Sequence, residues 1–223
     1  MMPAPKRFID VSHTVEHGMT TYKGFPAPII CDWLSREVSR TKYAPGTEFQ
    51  IGKIEMIANT GTYIDCPFHR YADGQDLSEV ELSRFADLDA VVVHAHYNKG
   101  LEVSPDHFRN VDVRGKAVLI HTSWSEHWRK DAYFENHPFV SAAAARYLVD
   151  QQARLVGIDS HNIDDTRTKS RPTHSILLKE GILIVEHLTG LDKLPDRALK
   201  FNAVPPKFKG VGTFPVRAYA VEA

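Results

Sequence analysis

The sequence is poor in cysteine, in long apolar runs and in net charge. Its 223 residues include only Cys31 and Cys66, too few for a disulfide framework, so we expect a reducing cytoplasm as its compartment. No stretch approaches the ~18 apolar residues of a membrane span, and the N-terminal MMPAPKRFIDVSH lacks the apolar run of a signal peptide. A formal net charge of −1 gives no reason to expect nucleic acid or an anionic membrane as a partner. These absences argue against a secreted disulfide scaffold, a membrane protein and a nucleic-acid-binding protein.

The sequence predicts a single domain of mixed α/β class in which the sheet dominates. No internal repeat, low-complexity tract or polar linker divides it, so we expect one domain over residues 1–223. Apolar runs without alternation are typical of strands that are covered on both faces. Six segments have strand character: 49–58, 89–96, 116–123, 155–160, 181–188 and 216–222.

Two segments predict helices. The alanine-rich segment 141–153 begins with Ser141, a residue suited to cap it. In the segment 78–86, Ser78 and Glu81 have the spacing of a capping box. The long polar and aromatic segments 125–138 and 161–174 are expected to be disordered or functional loops.

Residues 59–69, NTGTYIDCPFH, contain the first candidate site. Gly61 allows a positive φ and Pro67 fixes φ near −65°. The backbone of this stretch can therefore hold its side chains in defined directions. Asp65 and His69 are separated by a short turn, and together they suit Zn²⁺ or Mn²⁺. The structural alternative is that Asp65 caps a turn and His69 is a surface imidazole.

Two further groups of polar residues follow strand-like segments. In RPTHSILLKEGILIVEHL, Glu186 lies in an apolar strand, where a carboxylate is costly unless it is paired or binds a metal, and His174 precedes it. The alternative is that Glu186 faces solvent at the end of the strand. The segment GIDSHNIDD, 157–165, offers Asp159, His161, Asp164 and Asp165 at the end of a strand, a common place for active sites in α/β proteins. Hydrogen-bonded turn roles are the simpler interpretation for Asp159 and Asp164.

The segment HTSWSEHW, 121–128, gives weaker signals. Ser123 near His121 or His127 is a loose candidate for a nucleophile, and Trp124 is a candidate wall of a pocket. Core packing is the competing explanation for the tryptophan.

Taken in order, these fragments resemble the cyclase family of metal-dependent hydrolases, which includes bacterial kynurenine formamidase and isatin hydrolase. The middle motif of that family is His-x-Gly-Thr-His-x-Asp-x-Pro-x-His. Its seven named positions include five identities here, at Gly61, Thr62, Asp65, Pro67 and His69. The resemblance runs through FIDVSHTVEHGMTTYKGFP (8–26), NTGTYIDCPFH, GIDS, THSILLKEGILIVEHLTGLDKLP (173–195) and GTFPVRAYA (212–220).

The chain departs from the family at two motif histidines, which are replaced by Asn59 and Tyr63. In kynurenine formamidase-like members those histidines help to bind one of two metals. An amide oxygen and a phenol are poorer ligands than two imidazoles. The resemblance therefore implies a site reduced to one divalent metal, zinc or manganese, held by Asp65, His174 and Glu186.

The resemblance also implies a swivelling β/β/α fold and a reaction. We expect metal-assisted hydrolysis of a small amide, lactam or ester, with His69 as general acid and base and with Tyr63 and Asn59 stabilising the oxyanion. Tyr22 matches an aromatic of the family and, with Trp124, is expected to line a pocket for an aromatic or cyclic substrate. Family members suggest a homodimer or homotetramer. Two alternatives stay open: a metal-free acid–base hydrolase, and a small-molecule binding protein that has lost catalysis.

Overall fold

The computed structural model describes residues 6–195 and 199–222, so residues 1–5, 196–198 and 223 of the predicted domain lie outside the described residues. The helices there are α1 (Arg36–Arg40), α2 (Ala142–Asp150) and α3 (Pro172–Lys179). The strands are β1 (Arg7–Asp10), β2 (Ile29–Leu34), β3 (Ile51–Glu55), β4 (Tyr63–Asp65), β5 (Leu88–His94), β6 (Glu102–Val103), β7 (Ala117–His121), β8 (Phe139–Val140), β9 (Leu155–Ile158), β10 (Leu183–Glu186), β11 (Leu199–Asn202), β12 (Thr213–Pro215) and β13 (Tyr219–Glu222).

Nine of these strands form one mixed sheet in the order β1-β13-β11-β5-β7-β9-β10-β4-β12. The central four, β5, β7, β9 and β10, are parallel, whereas the flanking pairs are antiparallel. The apolar runs that predicted the central four strands bury side chains on both faces, as expected for parallel strands under cover. The predicted sheet-dominated α/β fold is confirmed.

Side chains on the two faces of this sheet enter two different apolar cores. On one face, Val92 of β5 and Leu119 of β7 pack with residues of β1, β11 and β13. On the other face, Ile120 and Ile184 pack against buried side chains of α2 and α3. Successive residues of a strand alternate between the faces, so each polar residue at a strand end can be assigned to one of them.

The strand predicted at 49–58 forms, but its setting differs from the other five. It is β3, which pairs with β2 in a separate two-stranded sheet, and all five of its residues are exposed. Its partner strand carries Trp33, which is 76% exposed. Alternation and β-branched residues predicted a strand here, and the strand forms although its residues are exposed.

The helix predicted at 141–153 is confirmed, whereas the helix predicted at 78–86 is wrong. Ser141 caps α2 by accepting a hydrogen bond from the backbone N–H of Ala144 at 3.1 Å. In the second segment only a short 3-10 helix forms, at Leu82–Arg84. The Ser78 hydroxyl donates to Asp76 at 2.7 Å, and Glu81 has extended dihedrals (φ −62°, ψ 141°), so the backbone cannot continue as an α-helix.

The carboxyl ends of the parallel strands meet at one edge of the sheet, as they must when neighbours run the same way. His94, His121 and Glu186 are the last residues of β5, β7 and β10, and Asp159 follows β9 directly. This edge therefore collects most of the polar side chains discussed below. No helix in the described ranges is both long and apolar enough to cross a bilayer.

Candidate metal and proton-transfer site

A tight turn at Gly61 and Thr62 precedes β4, the strand that places Asp65 in the interior. Gly61 has φ +67°, and a Cβ there would lie 2.8 Å from the Val15 side chain, so glycine is required. The next residue, Thr62, fixes the turn because its hydroxyl donates to the His187 carbonyl at 2.6 Å. β4 then runs between β10 and β12 and ends at Asp65, whose side chain is fully buried.

His174 is held by a carboxylate that precedes its helix. Asp164 accepts hydrogen bonds from the backbone N–H groups of Thr173 (2.7 Å) and His174 (3.1 Å), which satisfies the first turn of α3. The same carboxylate lies 2.6 Å from His174 Nδ1, so this nitrogen carries a proton. The other ring nitrogen, Nε2, therefore faces the site, in the way that a carboxylate commonly orients a metal-binding imidazole.

Glu186 completes this group from the end of β10. Its Oε1 accepts from the backbone N–H of Ile163 at 2.6 Å, and its Oε2 accepts from the Tyr63 hydroxyl. The side chain is fully buried, and burial raises its pKa to about 7 against the opposing effect of His174. Hydrogen bonding rather than solvent exposure therefore explains how this carboxylate is tolerated in a strand.

His174 Nε2 lies near one oxygen of each of two buried carboxylates. His174 Nε2 lies 3.7 Å from Asp65 Oδ2 and 3.7 Å from Glu186 Oε1. Both separations are too long for hydrogen bonds but suit two ligands of one ion. Asp65 Oδ2 is buried and makes no hydrogen bond. An unpaired buried carboxylate oxygen beside two other donors fits a divalent cation.

The carboxylates of the site also favour a bound cation. Burial lowers the pKa of His174, but Glu186, Asp164 and Asp65 outweigh it and raise the pKa to about 10. Without a metal, this imidazole is therefore the positive charge among three carboxylates. A bound metal would replace the Nε2 proton by a larger positive charge at the same place.

His69 lies beside this group, in the 3-10 helix Pro67–His69. Its Nδ1 is 2.7 Å from the Thr213 hydroxyl, which donates to Asp65 Oδ1, and 3.7 Å from that oxygen. Gly212 lets β12 pass close to this turn, since a Cβ there would lie 2.6 Å from His69 Cα. The imidazole is partly exposed, so it can reach both the carboxylates and a substrate. Asp65, His69 and His174 also have ligand atoms within 4.8 Å of one another.

The two residues that replace family histidines have different surroundings. The Tyr63 side chain is buried, and burial followed by Glu186 raises its pKa well above the usual value, so the phenol keeps its proton. Its hydroxyl is 2.7 Å from that of Tyr22, which donates to the His161 carbonyl at 3.0 Å. Asn59 lines the cavity beside Tyr22, Phe25 and Tyr63.

A cavity of about 710 Å³ opens over these residues. Tyr22 and Phe25 provide its aromatic wall, and Arg70, Lys169 and Arg171 bring three cationic side chains to its lining. Lys169 and Arg171 lie on the segment 161–174, which we expected to be functional or disordered, and Arg70 Nε donates to the Ser175 hydroxyl at 3.0 Å just after it. The remaining lining residues are Asn59, Tyr63, His69, Asn162, Ser170, Pro172, His174, Ser175 and Glu186.

The structure brings together most of the residues predicted to form the site but leaves Trp124 apart. Asn59, Tyr63, His69, His174, Glu186 and Tyr22 all line the cavity, and Asp65 lies directly behind it. The Trp124 indole is buried elsewhere: it donates to the Tyr133 carbonyl at 3.0 Å and packs against Tyr97 and His127.

Sequence reasoning missed two supporting residues. The sequence predicts a turn role for Asp164, and its carboxylate does accept from the first turn of α3, but it also orients His174. Thr213 was not singled out, although its hydroxyl links His69 to Asp65. Arg171, not Asp164, is at the N-cap position of α3, so no local spacing signals the aspartate, and no local pattern signals the threonine.

Comparisons with known proteins agree with this architecture. The Cyclase family model matches residues 9–165. Kynurenine formamidase from Bacillus cereus is 28% identical over 213 residues, covering 95% of each chain. A predicted metal-dependent hydrolase from Bacillus stearothermophilus is 28% identical, with a TM-score of 0.78 over 99% of this chain and 100% of that one. Isatin hydrolase A from Labrenzia aggregata shares the fold at 20% identity, with a TM-score of 0.82 over 97% and 94%.

Proposed function

The chain belongs to the cyclase family, and we propose that it is a metal-dependent hydrolase of small amides, lactams or esters, similar in chemistry to an arylformamidase. The enzyme class, a hydrolase acting on carbon–nitrogen bonds, agrees with its kynurenine formamidase relatives. A homodimeric or homotetrameric state and a cytoplasmic location remain predictions.

One observation carries the proposal: the buried Asp65 Oδ2 makes no hydrogen bond and lies 3.7 Å from His174 Nε2, which lies 3.7 Å from Glu186 Oε1. These three residues would hold one divalent metal, zinc or manganese. When bound, such a metal lowers the pKa of water and polarises a carbonyl. The two family histidines that are absent here would have supplied ligands to a second metal.

His69 is the proposed general acid and base. Its Nδ1 contacts the Thr213 hydroxyl, which leaves Nε2 of the half-exposed ring available to the cavity. There it takes a proton from the attacking water and returns it to the leaving nitrogen or oxygen. Thr213 and Asp65 fix the ring, so the proton is transferred at one nitrogen.

Asn59 and Tyr63 have separate tasks in this proposal. The Asn59 amide faces the cavity and can donate to the developing oxyanion, an interaction worth roughly 3–4 kcal/mol in comparable sites. The Tyr63 hydroxyl instead donates to Glu186, so it orients that carboxylate. We therefore propose that Tyr63 positions Glu186. Because its hydroxyl already donates to Glu186, this hydrogen bond does not favour the predicted role of Tyr63 in stabilising the oxyanion.

The cavity lining supports an aromatic or cyclic substrate that carries an anionic group. Tyr22 and Phe25 suit a planar ring, and Arg70, Lys169 and Arg171 suit a carboxylate. We expect an aryl formamide with a carboxylate to be preferred over its uncharged analogue. Steady-state kinetics on such a pair should show the difference in KM, and Arg171→Gln should shrink it. Equal KM values in the parent protein would contradict an anionic substrate.

Metal content and turnover test the central proposal. In untagged protein purified without chelator, Glu186→Gln should lower the metal content by one equivalent and abolish hydrolysis of the aryl formamide. Gln preserves the shape of the side chain, and Glu180→Gln, at an exposed site after α3, is the matched control. Full turnover in exhaustively chelated protein would instead favour metal-free acid–base catalysis. Substrate binding without turnover, with metal present, would favour a binding protein.

A further inference from the structure

Three histidines form a second cluster that the proposed reaction does not use. His94 ends β5, His121 ends β7, and His96 follows two residues after His94. The register pairs His94 with His121 on the two parallel strands. They continue the sheet face of Val92 and Leu119, whereas Glu186 continues the opposite face, that of Ile184.

The imidazole nitrogens of this cluster are close together. His94 Nδ1 and His121 Nδ1 are 3.2 Å apart, and one ligand atom from each of the three histidines lies within 4.8 Å of the others. Two ligands on a tetrahedral zinc ion, each at about 2.0–2.1 Å, are separated by about 3.3 Å. The spacing of the first pair therefore matches two ligands of one ion.

The backbone around the cluster is fixed independently of any ligand. Asp159 accepts from the Thr122 N–H at 2.7 Å and from the Ser123 N–H at 3.0 Å, which holds Ser123 in a left-handed conformation (φ +67°). The Ser123 hydroxyl then lies 2.8 Å from His96 Nδ1 and 3.3 Å from His121 Nε2. These contacts orient His96 and His121 with respect to each other.

We propose that His94, His96 and His121 form a binding site for Zn²⁺ or a similar borderline divalent metal, separate from the carboxylate site. Three imidazoles are a ligand set that zinc, copper and nickel prefer. His121 is buried and His94 is exposed, so an ion can enter from solvent and keep a water molecule as its fourth ligand. The bound ion would tie the ends of β5 and β7 together.

Isothermal titration with Zn²⁺ tests the site in chelator-stripped, untagged protein carrying Glu186→Gln, which removes the contribution of the carboxylate site. We expect one equivalent to bind, and we expect His94→Ala and His121→Ala each to weaken this binding by at least about 100-fold. His17→Ala, at an exposed histidine outside the cluster, should leave it unchanged. His94 is exposed, so its variant is expected to fold even if the variant of the buried His121 does not.

Cobalt substitution gives a second readout. Co²⁺ bound by three imidazoles should give the intense visible absorption of a four-coordinate ion, and His94→Ala should abolish it. Zinc binding of equal stoichiometry and affinity in His94→Ala and its parent would overturn the proposal, since the two histidines would then only share a hydrogen bond. The aryl formamide turnover of His94→Ala in an otherwise unaltered chain should match that of the parent.

Discussion

The carboxylate site and the histidine cluster lie at the same edge of one sheet but differ in charge. The first combines His174 with Asp65, Glu186 and Asp164, and its imidazole has its pKa raised to about 10. In the second, burial, followed by His96 and His94, lowers the pKa of His121 to about 4. The first group is therefore cationic at its imidazole without metal, whereas His121 in the second is neutral.

The difference shows how neighbouring strands can present different ligands. Hard carboxylate oxygens suit Zn²⁺ or Mn²⁺, whereas neutral imidazoles suit a borderline ion such as Zn²⁺. At the carboxylate site a metal must displace a proton from the imidazolium of His174, whereas His121 is already neutral near pH 7. Metal binding at the two places should thus respond differently to mutation and to pH.

We expect the largest effect from a variant of His69 that should lower turnover without removing metal from the carboxylate site. His69→Ala should lower kcat for the aryl formamide by about 10²–10⁴-fold, because the proton donor and acceptor is lost. Metal content, measured by mass spectrometry, should stay equal to that of the parent. Loss of one equivalent in this variant would make His69 a ligand, as its distance to Asp65 permits. His127→Ala, at a histidine outside both metal sites, is the matched control.

A smaller effect tests the orientation of His174. Asp164→Asn removes the carboxylate that fixes Nδ1–H, so metal affinity at this site should fall by about 10–100-fold. Zinc affinity at the histidine cluster, titrated in the same protein, should not change. Asp165→Asn is the matched control, because Asp165 pairs with the exposed side chain of Arg167 instead. Equal losses at both sites would point to a general defect in folding.

The smallest effect concerns stability and pH in the metal-free protein. The pKa of His174 is raised from 6.5 to about 10, so the folded state binds its proton more tightly than the unfolded state. This contribution to stability is fully present below pH 6.5 and is lost as the pH rises towards 10. The thermal midpoint in chelator should therefore fall across this window. His174→Gln should flatten the slope; an unchanged slope would show that other groups cause it.

The sequence predicted most of the buried strands because their apolar runs are local signals. It also predicted Asp65 and His69, since Pro67 and the short spacing restrict the backbone between them. The contact of Tyr63 with Glu186 joins residues 123 positions apart, which only sheet pairing can bring together. The sequence does not predict α3, although Pro172 begins it and Gly181 follows it with φ +69°, because the polar segment 161–174, expected to be a loop, extends into its first turn.

Trp124 shows why composition predicts pockets poorly. A tryptophan can line a cavity or fill a core, and the residue type alone does not distinguish these two positions. Here Tyr97 and the Tyr133 carbonyl provide both the packing and the acceptor that the indole needs. Tyr22, by contrast, was placed by its resemblance to a family residue, and it does line the cavity.

Gly212 restricts how the protein can evolve. Even an alanine there would press its methyl group against backbone atoms of Phe68 and His69, and backbone cannot move aside as a flexible side chain can. Nearly every missense change in this codon should therefore be selected against, although the residue has no side chain to take part in chemistry. In a library of random variants, position 212 should be depleted as strongly as His69 itself.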